Sequence, residues 1–560
     1  MQIRPQEQKS SRPGDEQKRV TGVQWALLLL FGLGVFIGAV WLLANKTESS
    51  ASSAGTNQVA KAAPANEIWD ATTEYARGEK LARTVCVSCH LFPEPELLDR
   101  VTWAMMVLPQ MEIWLGMAQF DPASHPGGDR VMAAKIFPES PVMSAAEWRA
   151  VCSYYLEAAP ARFMPPTDRP KLETNLKQFK VVTSKYHQDT PATTLVKIDS
   201  NNHQIYVGDS EAKTLSVLSA RGEVKSTLRV ESPPVSVLFR PDGLYVTLIG
   251  SINPSDLVQG KLLSLQTSRD GSMLTNVMLT DLHRPSDIVV ADLNGDGRED
   301  LLISQFGNLL GHFGWFENLG DGTYQEHILI NRPGAIKAYV YDFNHDGRPD
   351  IIVMMAQARE GIYILYNEGN GNFRETTVAE FPPSWGSSYF EMADFNGDGF
   401  PDLLVTNGDN GDLTTLPAPY KKYHGVRIFL NDGKNQFKEA WFFGMNGAYK
   451  AMARDFDNDG DLDIAAISFF PDYHHSPRES FIYFENIGGK GKLEFKPVSF
   501  PESFSGRWMT MDVGDLEGDG KLDIVLGSFI KGPGSVPTPL MDGWKTMGSS
   551  VLILKNARRN

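Results

Sequence analysis

The stretch Asp455-Phe456-Asp457-Asn458-Asp459-Gly460-Asp461-Leu462-Asp463 decides how this chain is built. Oxygen-bearing side chains stand at its first, third, fifth and ninth positions, with glycine at the sixth. Those donors, joined by the seventh backbone carbonyl, can wrap one Ca²⁺ in a tight loop, and the glycine permits the turn. The pattern recurs through Asp292, Asn294, Asp296, Arg298 and Asp300, and again through Asp342, Asn344, Asp346, Arg348 and Asp350. It returns through Asp394, Asn396, Asp398, Phe400 and Asp402, and finally through Asp515, Glu517, Asp519, Lys521 and Asp523. The starts lie roughly 50 to 60 residues apart, the period of a repeated supersecondary unit. An EF-hand needs a bidentate glutamate at position 12. Here those places hold Ile303, Val353, Val405, Ala466 and Leu526, and each loop runs straight into a strand, as in Asp350-Ile-Ile-Val. The EF-hand is rejected in favour of strand–loop–strand sites. Asp/Gly-rich turns without metal are the alternative.

The five units together resemble FG-GAP/VCBS repeats, the blades of integrin-type β-propellers. Tyr363-Ile-Leu-Tyr-Asn367 and Ile428-Phe-Leu-Asn431-Asp-Gly match the outer hairpin of that repeat. Two earlier units, 194–230 and 235–279, carry strands without the loop. Five and two imply a seven-bladed, all-β propeller over 178–560, with Phe179-Lys-Val-Val182 able to close it; six or eight blades stay open. Asp287, Lys337, Tyr389, Lys450 and Thr510 precede the five loops in one register and are candidates for the mouth of the central channel. Inter-blade hydrogen bonding is the other role for them. Long connections carrying Tyr420, Tyr423, His424, Tyr473, His474, His475 and Trp544, with Arg284, Arg332, Trp385 and Arg507, are further candidates, because function collects on loops held by a rigid scaffold.

Upstream lies Cys86-Val87-Ser88-Cys89-His90. Two thiols at this spacing can add to the vinyl groups of one haem while His90 ligates the iron, the c-type attachment pattern. A zinc site would want a second cysteine pair, and only Cys152 remains; no βαβ pattern supports a thioredoxin-like site. Ser144 and Glu147 can cap a helix running to Ala159, with Trp148, Val151, Cys152, Tyr155 and Leu156 on one buried stripe. Residues 67–168 resemble a small class I cytochrome c. For the sixth ligand, Trp103 followed by Met111 resembles the Trp-to-Met stretch of other extracytoplasmic cytochrome domains, and Met143 precedes the last helix. Met111 is favoured, Met143 follows, and Met105, Met106, Met117, Met132, Met164 and His125 are the other candidates.

Residues 1–22 are polar, and Val23 to Ala44 is an uncharged run of 22 residues, about 33 Å as a helix and enough to cross a bilayer. Arg4, Lys9, Arg12, Lys18 and Arg19 precede it, which places 1–22 in the cytoplasm as a tail and 23–44 as a transmembrane anchor. A cleaved signal peptide is the rival. Residues 45–66 are a linker. The net charge of −15 argues against nucleic acid, whose binding needs phosphates neutralised. The expected fold is multi-domain: a transmembrane helix, an all-α class I-like cytochrome c domain, then the propeller with calcium-binding loops. The resemblance implies a single-pass protein of a bacterial inner membrane, most of it periplasmic, with one covalent haem c and up to five Ca²⁺. Its expected function is electron transfer to a redox partner protein or membrane complex, with the propeller as docking platform. The alternatives are a haem oxidoreductase with a substrate in the propeller funnel, and an integrin-like adhesion or assembly protein with an accessory haem.

Overall fold

Seven four-stranded antiparallel sheets follow one another along the chain, six of them meanders of four consecutive strands. The computed structural model describes residues 71–163, 170–241, 243–267, 273–411, 420–557. Blades 1 to 7 span residues 193–229, 234–282, 285–330, 335–380, 387–444, 448–498 and 508–556. The last blade gains its outermost strand from upstream: β1 (Phe179–Thr183) pairs with the strand Val551–Asn556, Phe179 opposite Asn556. The sequence expectation of a closing strand here is met.

The second strand of each loop-bearing blade explains the packing. Asp300–Gln305, Asp350–Met355, Asp402–Asn407, Asp463–Ser468 and Asp523–Ser528 are buried at every residue. Their near-continuous runs of Ile, Leu, Val, Ala and Met suit strands covered on both faces by neighbouring blades. The fourth strands are mostly more exposed, as Val224–Arg229 and Asn372–Glu380 are, though Phe495–Val498 ends buried.

Ahead of the propeller lie α1 (Ala71–Val85), α2 (Leu108–Trp114), α3 (Gly128–Ala134) and α4 (Ala145–Ala158). The Ser144–Glu147 capping box forms as expected and starts α4. α1 crosses α4 closely at Gly78, where a Cβ would lie 2.0 Å from the Ala150 carbonyl oxygen. These helices are not a separate domain: Trp69–Asn560 form one compact unit. His125 Nε2 meets the buried Asp256 carboxylate of blade 2 at 2.6 Å, and the Tyr423 hydroxyl of blade 5 donates to the Leu97 carbonyl at 2.5 Å. The expected multi-domain fold with a distinct all-α cytochrome domain is therefore corrected to a seven-bladed propeller carrying short helices.

The tail, anchor and linker expected at 1–22, 23–44 and 45–66 lie outside the described residues, as does Met164. Among the described residues no helix is long and apolar enough to cross a membrane. The described residues therefore give no support to the expected inner-membrane, single-pass placement or the membrane-anchored partner, and neither is carried further.

Candidate functional site

Two places concentrate polar chemistry: the central channel and the loops between first and second strands. The channel comes first because a backbone irregularity builds it. In every blade the first strand skips one residue against the second, at Thr194, Val235, Ser286, Ile336, Ser388, Tyr449 and Met509. A bulge of this kind bends the strand and re-aims the side chains beside it. The residue after each bulge includes Asp287, Lys337, Tyr389, Lys450 and Thr510, the register set expected from sequence. Bulge hydroxyls also tie blades together: Thr194 donates to the Pro234 carbonyl at 2.7 Å, and Ser388 to that of Ala448 at 3.1 Å.

A cavity of about 160 Å³ opens here, lined by Thr194, Val235, Ser388, Tyr389, Tyr449 and Lys450 among others. Around it the charges are sorted into pairs. Lys337 lies 3.4 Å from Asp287, and Lys197 lies 3.4 Å from Asp512. Asp512 also accepts the Ile198 N–H at 2.7 Å. Glu391 pairs with Arg454 and accepts the Ala453 N–H at 3.2 Å. Burial works most strongly against the Lys337 ammonium, but Asp287, Tyr339 and Glu391 together outweigh it and hold Lys337 above the usual lysine range. Lys450 differs. Its ammonium lies 4.7 Å over the Tyr389 ring. Burial pushes Lys450 down to about 8; Asp512 opposes that, and Lys337 and Lys197 add to it. Sequence reading missed Lys197, Glu391, Arg454 and Asp512. The signal available for Glu391 and Asp512 is that each stands two residues past a ring position, on the same face of its strand.

In the loops, the first aspartate organises the backbone. Asp292 accepts N–H groups of Gly295 at 2.8 Å and Gly297 at 2.9 Å. Gly297 and its equivalent Gly460 hold positive φ of 85° and 96°, which only glycine adopts without strain. The ninth residue acts as a tie between strands. Asp350 accepts the Phe343 N–H at 2.9 Å and the Asn367 N–H at 2.7 Å, the latter from the end of the third strand. The same pair of bonds recurs at Asp300, Asp402 and Asp523; Asp463 accepts from Asn486 and the Tyr483 hydroxyl. Burial raises Asp402 and Asp523 to about 6 and Asp463 to about 7.

The expectation of up to five Ca²⁺ in these loops is corrected. Among the described residues one set of three acids could hold a metal: Asp455, Asp457 and Asp459, with ligand oxygens within 4.8 Å of one another. Position 7 and the surrounding lysines supply the physical reason. Arg298 pairs with Asp296, Arg348 with Asp346, and Lys521 with Asp519, while Lys555 takes Glu517. In the loop of Asp394, the Asn396 amide donates to Asp398 at 2.8 Å, and position 7 is Phe400. The blade 6 loop alone carries a further acid there: Asp461 is 7% exposed, and its Oδ1 has no hydrogen-bond partner. Burial, then Asp459 and Asp457, raise it to about 6.

The long connections and the residues beside them are held largely by bonds to neighbouring segments. Arg284 donates to the carbonyls of Ser251 and Ile252, each at 3.0 Å, and Arg507 to that of Phe469 at 3.2 Å. Arg332 pairs with Glu375. Trp385 stacks between Phe381 and Tyr423, and Tyr473 meets the buried Trp544 of α5 (Thr538–Met547) at 5.4 Å. His424 is buried, and His475 bonds to Asp472 at 2.8 Å. The Cys86–His90 stretch is a short turn after α1. Cys86 and Met111 pack partly buried against the core of Trp103, Met143, Trp148 and Tyr155. Cys89 is exposed, and His90 Nδ1 lies 2.8 Å from the Leu91 carbonyl. Burial raises the Cys86 thiol, as it does Cys152.

Comparison with known proteins falls on the propeller. The FG-GAP-like repeat family matches residues 292–353, 342–405 and 455–526. A curated relative, integrin alpha-PS3 of Drosophila melanogaster, is 26% identical over 164 residues, covering 25% of this chain and 14% of its own length. The chain thus spans about 14% of that relative. Among solved structures, the WD40 domain of Neurospora crassa Pan2 is 10% identical with a TM-score of 0.42, covering 70% of this chain and 99% of its own. The periplasmic gluconolactonase of Pseudomonas aeruginosa is 14% identical with a TM-score of 0.38, covering 56% and 87%. Likenesses of that size bear on neither activity nor ligand. The kinship with FG-GAP repeats and an integrin chain, together with a metal-capable cluster at Asp455 rather than at Cys86, Cys89, His90 and Met111, corrects the cytochrome fusion. The haem, the electron-transfer role with its redox partner, the haem oxidoreductase and the adhesion protein with an accessory haem go with it. What the comparisons and the fold support is a seven-bladed propeller with FG-GAP-like repeats at 292–353, 342–405 and 455–526, and weak similarity to an integrin alpha chain.

Proposed function

We propose that this chain is a divalent-cation-binding β-propeller that works as a rigid binding module, with one cation held by the loop of blade 6. The grouping of the Asp455, Asp457 and Asp459 oxygens within 4.8 Å carries the reading. Three carboxylates at close range repel unless a cation or protons neutralise them, and all-oxygen donors suit a hard ion such as Ca²⁺, Mg²⁺ or Mn²⁺. Asp461 supports it, as a buried carboxylate with an oxygen left without a partner. In the other four loops the first and ninth aspartates serve this reading as backbone ties. Calorimetric titration of metal-stripped protein with each of the three ions tests it. One equivalent of one ion should bind per chain, and Asp459→Ala should lose it. Wild type that binds none, or Asp459→Ala that binds as wild type does, overturns the reading.

A further inference from the structure

The charges that face the channel do not balance. Three carboxylates, Asp287, Glu391 and Asp512, are matched by Lys337, Arg454 and Lys197 respectively. Lys450 is the fourth cation of this group and shares none of those ion pairs. Its ammonium lies over the Tyr389 ring at 4.7 Å and borders the cavity of about 160 Å³. A desolvated ammonium without an anionic partner is unfavourable, and it gains most from a counter-ion that can reach it. The walls of the cavity combine Tyr389, Tyr449 and Thr510 with the apolar Leu195, Val235 and Met509.

We propose that the channel cavity binds a small monocarboxylate, whose anionic head pairs with Lys450 and whose short alkyl body lies against Leu195, Val235 and Met509. The single surplus positive charge sets the ligand as a monoanion. The volume sets its size: water occupies about 30 Å³ in the liquid, so the space suits a molecule of only a few heavy atoms. The apolar wall favours an alkyl body over a bare inorganic ion, whose hydration shell that wall could not replace. The bulge in each first strand gives the site its form, because it turns Tyr389 and Lys450 to equivalent places in adjacent blades. Lys450 is part-buried, which strengthens its attraction for an anion over that of a surface lysine.

This deepens the reading of the chain as a binding module and rests on it, but it uses the channel and not the blade 6 loop. The two therefore fail separately: Lys450→Met leaves Asp455, Asp457 and Asp459 untouched. The test titrates the full chain, kept in the divalent cation, with butyrate, butyramide and inorganic phosphate, by calorimetry and by thermal melting. Butyrate should bind at one per chain and raise the melting temperature. Butyramide, isosteric but neutral, should bind at least tenfold more weakly, and phosphate should not displace butyrate. Lys450→Met, which replaces the ammonium by an apolar group of similar length, should keep the fold and lose butyrate affinity at least tenfold. Lys225→Met, on an exposed outer strand, should bind as wild type does. Absence of butyrate binding to wild type, equal binding of the amide, displacement by phosphate, or unchanged affinity in Lys450→Met would each overturn the proposal.

Discussion

At the scale of single residues, Lys450 shows how a binding position is held at the expense of stability. Its pKa of about 8 lies below the ordinary lysine value of 10.5 because burial disfavours the charged form. Between those two values the unfolded chain binds more protons than the folded one, so stability rises with pH across that window. The contribution is complete above about 10.5 and is lost as pH falls through about 8. Lys450→Met removes the titrating group. At pH 7 the variant should therefore be more stable than wild type, by a few kcal/mol at most, since each unit of pKa depression costs about 1.4 kcal/mol. The difference should shrink from pH 8 to pH 10.5. Urea melts of both proteins across that range read it directly. A variant less stable than wild type at pH 7 would mean that Lys450 is paired in the fold.

At the scale of the element, the five loops share a sequence pattern and divide by position 7. Arg298 and Arg348 neutralise the fifth residue of their loops from within, whereas Asp461 adds to the repulsion in its own. Asp461→Arg should copy the compensated arrangement into blade 6. Saturation a hundredfold over Kd contributes about 2.7 kcal/mol per site, so wild type should lose about that much stability in EDTA. Asp461→Arg should lose none and bind no cation. Equal EDTA sensitivity in the two proteins would place the cation elsewhere.

The loops also mark the reach of sequence reading. Glycine at position 6, the apolar second strands and the Ser144–Glu147 cap are local signals, and all were legible. The ring at Asp287, Lys337, Tyr389, Lys450 and Thr510 was legible because it repeats at one offset from each loop. Pairing across blades was not: Lys197 and Asp512 meet over a separation of 315 residues, and no local pattern states it. The ninth aspartate looks like a ligand in sequence, yet in space it fastens the end of the third strand. Cys86–His90 shows the opposite case: the motif is short, and the packing of Cys86 against the core that contains Tyr155 has no local signal.

At the scale of the whole molecule, closure of the ring rests on five residues of β1 joined to the last strand. Phe179 anchors that joint. It is buried, with Phe456 and Tyr483 of blade 6 each 5.5 Å away, ring to ring. Beside it, the Gln178 amide donates to the Phe456 carbonyl and to the Asn556 side chain, each at 2.9 Å. One aromatic thus touches the last two blades at the seam where the chain's two distant parts meet. Truncating a buried phenylalanine to alanine removes its transfer energy and leaves a cavity, together about 3–5 kcal/mol. In a closed ring each blade is covered on both sides, so that loss is felt by the whole propeller and not by blade 7 alone. Phe179→Ala should therefore shift urea unfolding to lower concentration as one transition, with tryptophan fluorescence and far-ultraviolet circular dichroism moving together. If instead an early step appears in one signal while the rest of the curve stays at the wild-type midpoint, blade 7 opens independently and the ring does not hold its members in common.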